Sequence, residues 1–365
     1  MRVAIIGPIA PFRSGIARHT TALARELAGR ADVEIKVFSF ARLYPKRLYP
    51  GERETDPSMS VPAELDRHFT LDTLNPLTWR NGIREVAAWS PDLVVLPAWS
   101  FVVAPALGAI ARGLRARGYA VTIIVHNAED HEAAGWKTAL SRFQLRQATR
   151  FVTHNAGLDA ALDRLMPGIP TDVCPHPVYD DFPPATGALP RRAPLELLFF
   201  GLVRPYKGLD IALDALAQAS VDAHLTIAGE FWEGRDETET RIDQLGLRDR
   251  VEVVPRYVSD AEAAELFARA DALVAPYRSV TGSGVVAMAQ WYGLPVIASD
   301  LPGFAEVIED RTTGWLVPVG DVDALATRIE GITANSAAAM GPAIATARDR
   351  LSWARFADVV LATAS

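Results

Sequence analysis

Short apolar runs alternate with helical stretches along almost the whole of this chain, and no other feature narrows its fold as far. In the first half the runs fall at 2–6, 33–38, 93–96, 121–125 and 151–153. In the second half they fall at 195–200, 225–228, 251–254, 273–275 and 296–298. Buried strands alternating with helices build parallel sheets covered by helices on both faces, so the class is α/β. A chain of 365 residues suits two such domains better than one. Six prolines (Pro175, Pro177, Pro183, Pro184, Pro190 and Pro194) cluster around Gly187 and mark a linker near 183–194. The stretch 41–76 is proline-rich and poorly periodic, and reads as a long loop or small insertion.

The uncharged stretch 93–111 has the length of a membrane span. Pro97, Ser100, Pro105 and Gly108 interrupt it, so a buried strand, a loop and a helix are expected there instead. The first residues read as a strand, not a signal peptide, because the apolar run is too short. The lone cysteine, Cys174, excludes an internal disulfide and a cysteine-based metal cage, and fits a reducing compartment. Residues 1–190 hold 21 Lys and Arg against 19 Asp and Glu, whereas 191–365 hold 16 against 25. The acidic second half argues against a nucleic-acid partner. The mildly basic first half leaves room for an anionic acceptor or for peripheral contact with a membrane surface.

Three loops carry cations or free backbone donors where an anion could sit. The segment TGSG, from Thr281 through Gly282 and Ser283 to Gly284, lies between a buried strand and a small-residue helix expected at 285–292. Unpaired N–H groups and the positive end of that helix make it a phosphate site. The segment GLVRPYKG (201–208) follows another strand; Arg204 and Lys207 can grip an anionic leaving group, one as a fork and one as a point charge. Ser14 and Gly15 open the first helix and could approach a phosphate or a sugar. A dinucleotide reading of that first turn fails, because the G-x-G-x-x-G spacing is missing and no carboxylate closes the second strand.

The segment HNAEDHE (126–132) follows a buried strand and groups His126, Asn127 and His131 with three carboxylates. His126 and His131 are five residues apart in a loop, a spacing that sets no common facing, so no metal is expected. Asp321 and Asp323 have D-x-D spacing but sit at a helix start, where an aspartate caps free N–H groups. Arg142, Arg146 and Arg150 read as one basic helical stripe, a solvated face first and a lipid contact second.

The segments GLPVIAS (293–299), GFAEVI (303–308) and TGWLVP (313–318) together resemble the donor-binding half of family 4 glycosyltransferases. The resemblance implies a GT-B fold: an acceptor domain over 1–185, a nucleotide-sugar domain over 191–342, and a final helix at 343–365 crossing back to the first domain. It implies a retaining, metal-independent and cytoplasmic enzyme, working at the inner face of the cytoplasmic membrane where its acceptor is lipid-linked. The donor would be a nucleotide-diphosphate sugar and the acceptor a saccharide or polyprenyl-linked saccharide, in cell-surface polysaccharide synthesis. Lys207 matches the family's diphosphate lysine, Arg204 lies two positions beyond the usual arginine, and Glu306 matches the G-x-x-E turn. His126 would polarise the reacting sugar, with Asn127, His131 and the Ser14–Gly15 turn lining the cleft. The family's two glutamates, eight residues apart, are replaced by Val280 and Met288. A Thr-x-Ser-Gly loop stands among them, resembling a subset of the family. Rival readings are an epimerase or phosphorylase on the same architecture, or a silent carbohydrate-binding relative.

Overall fold

The computed structural model describes residues 1–44, 54–56, 61–127, 135–280 and 282–364. These divide into two compact units, Met1–Pro175 with Trp353–Ser365, and His176–Ser352. The change of unit thus lies ahead of the proline-rich 183–194 stretch. The reason is aromatic packing: Phe182 sits against Tyr292, whose hydroxyl donates to the Pro183 carbonyl, so this segment is tied to the second unit.

The first unit runs β1 (Arg2–Ile6), α1 (Gly15–Ala28), β2 (Glu34–Arg42), β3 (Arg67–Asp72), α2 (Pro76–Trp89), β4 (Leu93–Ala98) and α3 (Ala104–Arg115). It continues with β5 (Ala120–Val125), α4 (Gly135–Leu145), β6 (Arg150–Thr153), α5 (Ala156–Leu165) and β7 (Thr171–Val173). The strands form one parallel sheet in the order β3-β2-β1-β4-β5-β6-β7. Its core is apolar on both faces, with Ile123, Phe151, Val94 and Leu107 at or near zero exposure. Each such side chain stabilises the fold by roughly 1.5–3 kcal/mol.

The uncharged 93–111 stretch is β4, a short loop and the start of α3, and no helix among the described residues is long and apolar enough to cross a membrane. The 41–76 stretch is not all loop. It contains β3, an edge strand with mixed burial and two register shifts against β2, which weakens any apolar pattern. The arginine stripe is also broken: α4 ends at Leu145, and Arg150 lies in β6, paired with Asp172.

The second unit runs β8 (Leu195–Phe200), a 3-10 turn (Pro205–Lys207), α6 (Leu209–Gln218), β9 (Ala223–Ala228), α7 (Arg235–Gln244), β10 (Val251–Val254), α8 (Asp260–Arg269) and β11 (Ala272–Ala275). Then come α9 (Gly284–Trp291), β12 (Val296–Ser299), α10 (Pro302–Ala305), β13 (Gly314–Val317), α11 (Val322–Glu330), α12 (Ala334–Ala338) and α13 (Gly341–Arg350). This sheet is parallel too, in the order β10-β9-β8-β11-β12-β13. Asp321 caps α11 by accepting from the Ala324 N–H, which accounts for the D-x-D spacing without a metal.

The expected helix at 343–365 is two helices. Leu351 is buried and leaves helical geometry, and its carbonyl accepts from the Val178 N–H. Beyond that break, α14 (Trp353–Ala362) joins the first unit, burying Trp353 and Phe356. It is pinned by Arg30, which donates to Asp358 at 2.6 Å and to the Ala354 carbonyl at 2.7 Å.

Candidate active site

In the second unit the chain leaves β8 toward β9 and β10, then returns to place β11 on the other side of β8. The loops after β8 and β11 therefore part at the carboxyl edge of the sheet, where an open parallel sheet forms its ligand crevice. Both loops are among those the sequence singles out. Arg204 and Lys207 lie in the first, and Gly282, Ser283 and Gly284 end the second. A side chain placed on Gly201 would begin 3.1 Å from Val285 Cγ2 and 3.3 Å from Lys207 Nζ. The ammonium thus sits beside the first turn of α9.

Lys207 is 7 % exposed. Burial, and secondly the Arg204 charge, pull its pKa down to about 8. Its ammonium lies 5.5 Å from the centre of the Tyr277 ring, whose phenol is pushed well up by its own burial. Arg204 stacks over Trp232 at 4.5 Å and Tyr206 at 5.7 Å, which fixes the guanidinium plane. Its Nε is buried without a hydrogen-bond partner among the described residues. Neither cation has a carboxylate within ion-pair distance among those residues, whereas nearby Arg278 pairs with Asp210 at 2.6 Å. Two cations held on one crevice without a carboxylate partner among the described residues have the chemistry to hold an anion.

Ser283 is the N-cap of α9, and its hydroxyl accepts from the Val286 N–H at 3.3 Å. That cap leaves the N–H groups of Gly284 and Val285 as the free donors of the first turn. The backbone of the loop, more than the Ser283 hydroxyl, therefore faces an anion. Glu306 ends α10 after β12, exposed and on the same edge of the sheet. Met288, at the position of one family glutamate, is 5 % exposed on the inner face of α9. Thr281 and His131 lie outside the described residues.

In the first unit the candidates also gather at the carboxyl edge. Ser14 caps α1 by accepting from the Ala17 N–H at 3.1 Å, and Gly15 is exposed beside it. His126 and Asn127 follow β5, their N–H groups both directed at the Ala98 carbonyl, at 2.9 and 3.4 Å. A cavity of about 450 Å³ lies at the opposite edge of this sheet. Asp32, Glu34 and Asp92 line it together with Arg2 and the Met1 ammonium, and Arg2 pairs with Glu34 at 3.2 Å.

Two contributors escape a reading of the sequence. Trp232 follows β9 and Tyr277 follows β11, and only the parallel sheet brings them against Arg204 and Lys207. The usable signal is positional: a polar or aromatic residue just past a buried strand in a parallel sheet belongs to the ligand edge.

Residues 194–335 match the family model described as glycosyl transferases group 1. The chain is 28 % identical over 205 residues to the GDP-mannose:glycolipid 4-beta-D-mannosyltransferase of Xanthomonas campestris pv. campestris, covering 56 % of each. It is 29 % identical over 283 residues to the glycogen synthase of Mycobacterium tuberculosis, covering 73 % of this chain and 65 % of that one. The chain thus spans between about half and two thirds of the length of these curated relatives. Among solved structures it is similar to sucrose-phosphate synthase from Thermosynechococcus elongatus, with TM-score 0.76 and 20 % identity over 98 % of this chain and 96 % of that one. It is also similar to Anabaena HepE in complex with UDP and glucose, with TM-score 0.73 and 18 % identity over 100 % and 99 %. The fold is GT-B, with two parallel-sheet α/β domains. The crevice lined by Arg204, Lys207 and the start of α9 falls inside the residues that match this model.

The depressed Lys207 pKa gives the crevice a pH signature. In the folded protein the ammonium is disfavoured, so its burial penalty applies below about pH 8 and fades as pH rises from there toward the unfolded value of 10.5. Anion binding needs the charged form and runs the other way. Affinity for a nucleoside diphosphate is expected to be full just below pH 8 and to weaken by up to about tenfold per pH unit above it. Calorimetric titration between pH 7.5 and 9.5 checks this, with a flat profile expected for Lys207→Met. An equally flat wild-type profile would take Lys207 out of the anion site.

Proposed function

We propose that the protein is a retaining, metal-independent glycosyltransferase that moves a sugar from a nucleotide-diphosphate sugar to a saccharide or polyprenyl-linked acceptor. The observation that carries this reading is the pair of uncompensated cations, Arg204 and Lys207, beside the first turn of α9. In sugar transfer, negative charge grows on the diphosphate as the glycosidic bond breaks. Preorganised cations and N–H groups at that point stabilise the transition state more than the bound donor. Lys207, Arg204 and the Gly284 and Val285 N–H groups would hold the leaving group. His126 is assigned to orienting and polarising the reacting sugar, with the leaving phosphate taking the acceptor proton. Ser14, Gly15, Asn127 and His131 are assigned to the acceptor side, and Thr281, Gly282, Ser283 and Glu306 to the donor side. The mannosyltransferase relative, whose name specifies a glycolipid, supports a lipid-linked acceptor for this chain and hence work at the cytoplasmic membrane surface, with synthesis of cell-surface polysaccharide as its setting.

Thermal shift against uridine, guanosine and adenosine diphosphates tests the donor site, because a ligand that binds only the native state raises the melting temperature. One nucleotide should stabilise the wild type and lose its effect in Lys207→Ala; no shift with any of the three sinks the proposal. A silent binder, the reading favoured by buried Met288, would show the shift but no slow hydrolysis of the matching nucleotide sugar. Transfer is expected to persist in a strong chelator, since Lys207, Arg204 and the α9 N-terminus supply the positive potential that D-x-D enzymes draw from a metal. Activity lost in chelator and restored by manganese or magnesium would overturn the metal-independent assignment.

A further inference from the structure

The first unit holds a second concentration of chemistry that the donor site does not use. His19 on α1, His126 after β5 and His154 after β6 each present a ring nitrogen, and these atoms lie within 4.8 Å of one another. The register explains part of this convergence. Val125 pairs with Thr153 across β5 and β6, so the next residues, His126 and His154, emerge side by side at the carboxyl edge. His19 comes down on them from α1. The ring centroids form a nearly equilateral triangle, with sides of 4.6 Å (His19 to His126), 5.0 Å (His19 to His154) and 5.0 Å (His126 to His154).

The surroundings bear on what such a triangle can hold. Trp353 and Phe356 of α14 close it, with centroids 4.9 and 5.1 Å from His19, and Phe356 stacks on His154 at 5.4 Å. His19 is 1 % and His154 4 % exposed, and His126 is half-buried. His154 Nδ1 faces the Cys174 carbonyl at 3.3 Å. A proton on Nδ1 donates there, which places the lone pair of the neutral ring on Nε2. That outer hydrogen bond is the usual orienting device for a metal-binding imidazole.

Aromatic packing alone would be served as well by phenylalanine. What imidazole adds at these three positions is a ring nitrogen, and the three nitrogens converge to within 4.8 Å. Three imidazole nitrogens with no carboxylate or thiolate in the described cluster disfavour magnesium and calcium, which need oxygen ligands, and suit zinc, cobalt, nickel or copper. Tetrahedral zinc with Zn–N near 2.0–2.1 Å sets its nitrogens roughly 3.4 Å apart. From separations of up to 4.8 Å, ring rotation and a shift of about an ångström reach that arrangement.

We propose that His19, His126 and His154 form a binding site for a late first-row divalent ion of the zinc type, and that a bound ion withdraws His126 from sugar transfer. The second half rests on the role given to His126 above; the site itself does not.

The test uses untagged, metal-free, full-length protein titrated with cobalt(II) and read by visible absorption. One equivalent should bind with the intense bands of a four- or five-coordinate nitrogen site, and zinc should displace it. His19→Gln and His154→Gln should each weaken binding by at least about tenfold, the smaller end of the loss seen when even an outer-shell partner is removed. His224→Gln, in the other unit, should leave it unchanged. Should either variant fail to fold, X-ray absorption at the zinc edge on the wild type still counts the imidazoles, and three are expected. No stoichiometric ion, fewer than two imidazoles, or wild-type affinity in both folded variants overturns the site. Zinc should also inhibit transfer, reversibly on chelation. An ion that binds with three imidazoles and leaves transfer untouched overturns the withdrawal of His126 and the role assigned to it, while the donor-site reading stands on the nucleotide shifts.

Discussion

Lys207→Ala is expected to cut turnover by about a hundredfold or more while leaving the melting temperature unchanged or slightly raised. The first part follows from the site: removing one preorganised donor from developing anionic charge typically costs roughly 2.7–4 kcal/mol of transition-state stabilisation. Arg204 remains, but its guanidinium is committed to the stack on Trp232 and cannot swing into the space under Val285. The second part follows from burial. A lysine whose pKa is drawn down to about 8 is held charged at a cost to the fold, so truncating it relieves desolvation even as it leaves a small cavity. A purely structural lysine predicts the reverse pattern, a lower melting point with turnover per folded molecule intact. Steady-state kinetics beside thermal melts separates the two, and normal turnover in the folded variant would remove Lys207 from the mechanism.

The fold was legible because buried parallel strands leave a strong mark. The runs at 195–200 and 251–254 are β8 and β10 to the residue, and β1 is where the first apolar run lies. Edge strands leave a weak one. β3 and β7 carry half-exposed residues, β7 has only three of them, and both were invisible to periodicity. The break between α13 and α14 was hidden for a different reason. Neither proline nor glycine marks it; a tertiary hydrogen bond from Val178 to the Leu351 carbonyl and the burial of Leu351 decide it.

The site divides along the same line. Local chemistry exposed Arg204, Lys207, Ser283 and Gly284, since each sits in a loop whose composition departs from its surroundings. Which groups those residues meet is a product of strand order. The stack of Arg204 on Trp232 and the histidine triangle join residues far apart in sequence, and no spacing rule connects them. Ser283 is the instructive intermediate: its position at a helix start was readable, but that its hydroxyl is spent on the Val286 N–H as a cap is seen only in the folded loop.

Gly208→Ala is expected to destabilise the second unit by about 3 kcal/mol or more. Gly208 ends the 3-10 turn that carries Lys207 and begins α6, with φ +68° and ψ +35°. A Cβ there would stand 2.1 Å from the Pro276 carbonyl oxygen and 3.1 Å from its carbon. Left-handed geometry alone costs a side chain of order 1–3 kcal/mol. The contact adds more, because the obstacle is the backbone leaving β11 and cannot rotate aside as a side chain would. Relief requires the β8 and β11 loops to separate at the sheet's switch point, which would also carry Lys207 away from α9. The loss should therefore appear twice, in the urea midpoint and in nucleotide affinity. Gly282→Ala supplies the contrast, since nothing among the described residues lies within 4 Å of its added carbon. Its effect on stability should stay within about 0.5 kcal/mol, as for an ordinary exposed position. Equal urea midpoints for the two variants would show that the approach of Gly208 to Pro276 does not hold the crevice together.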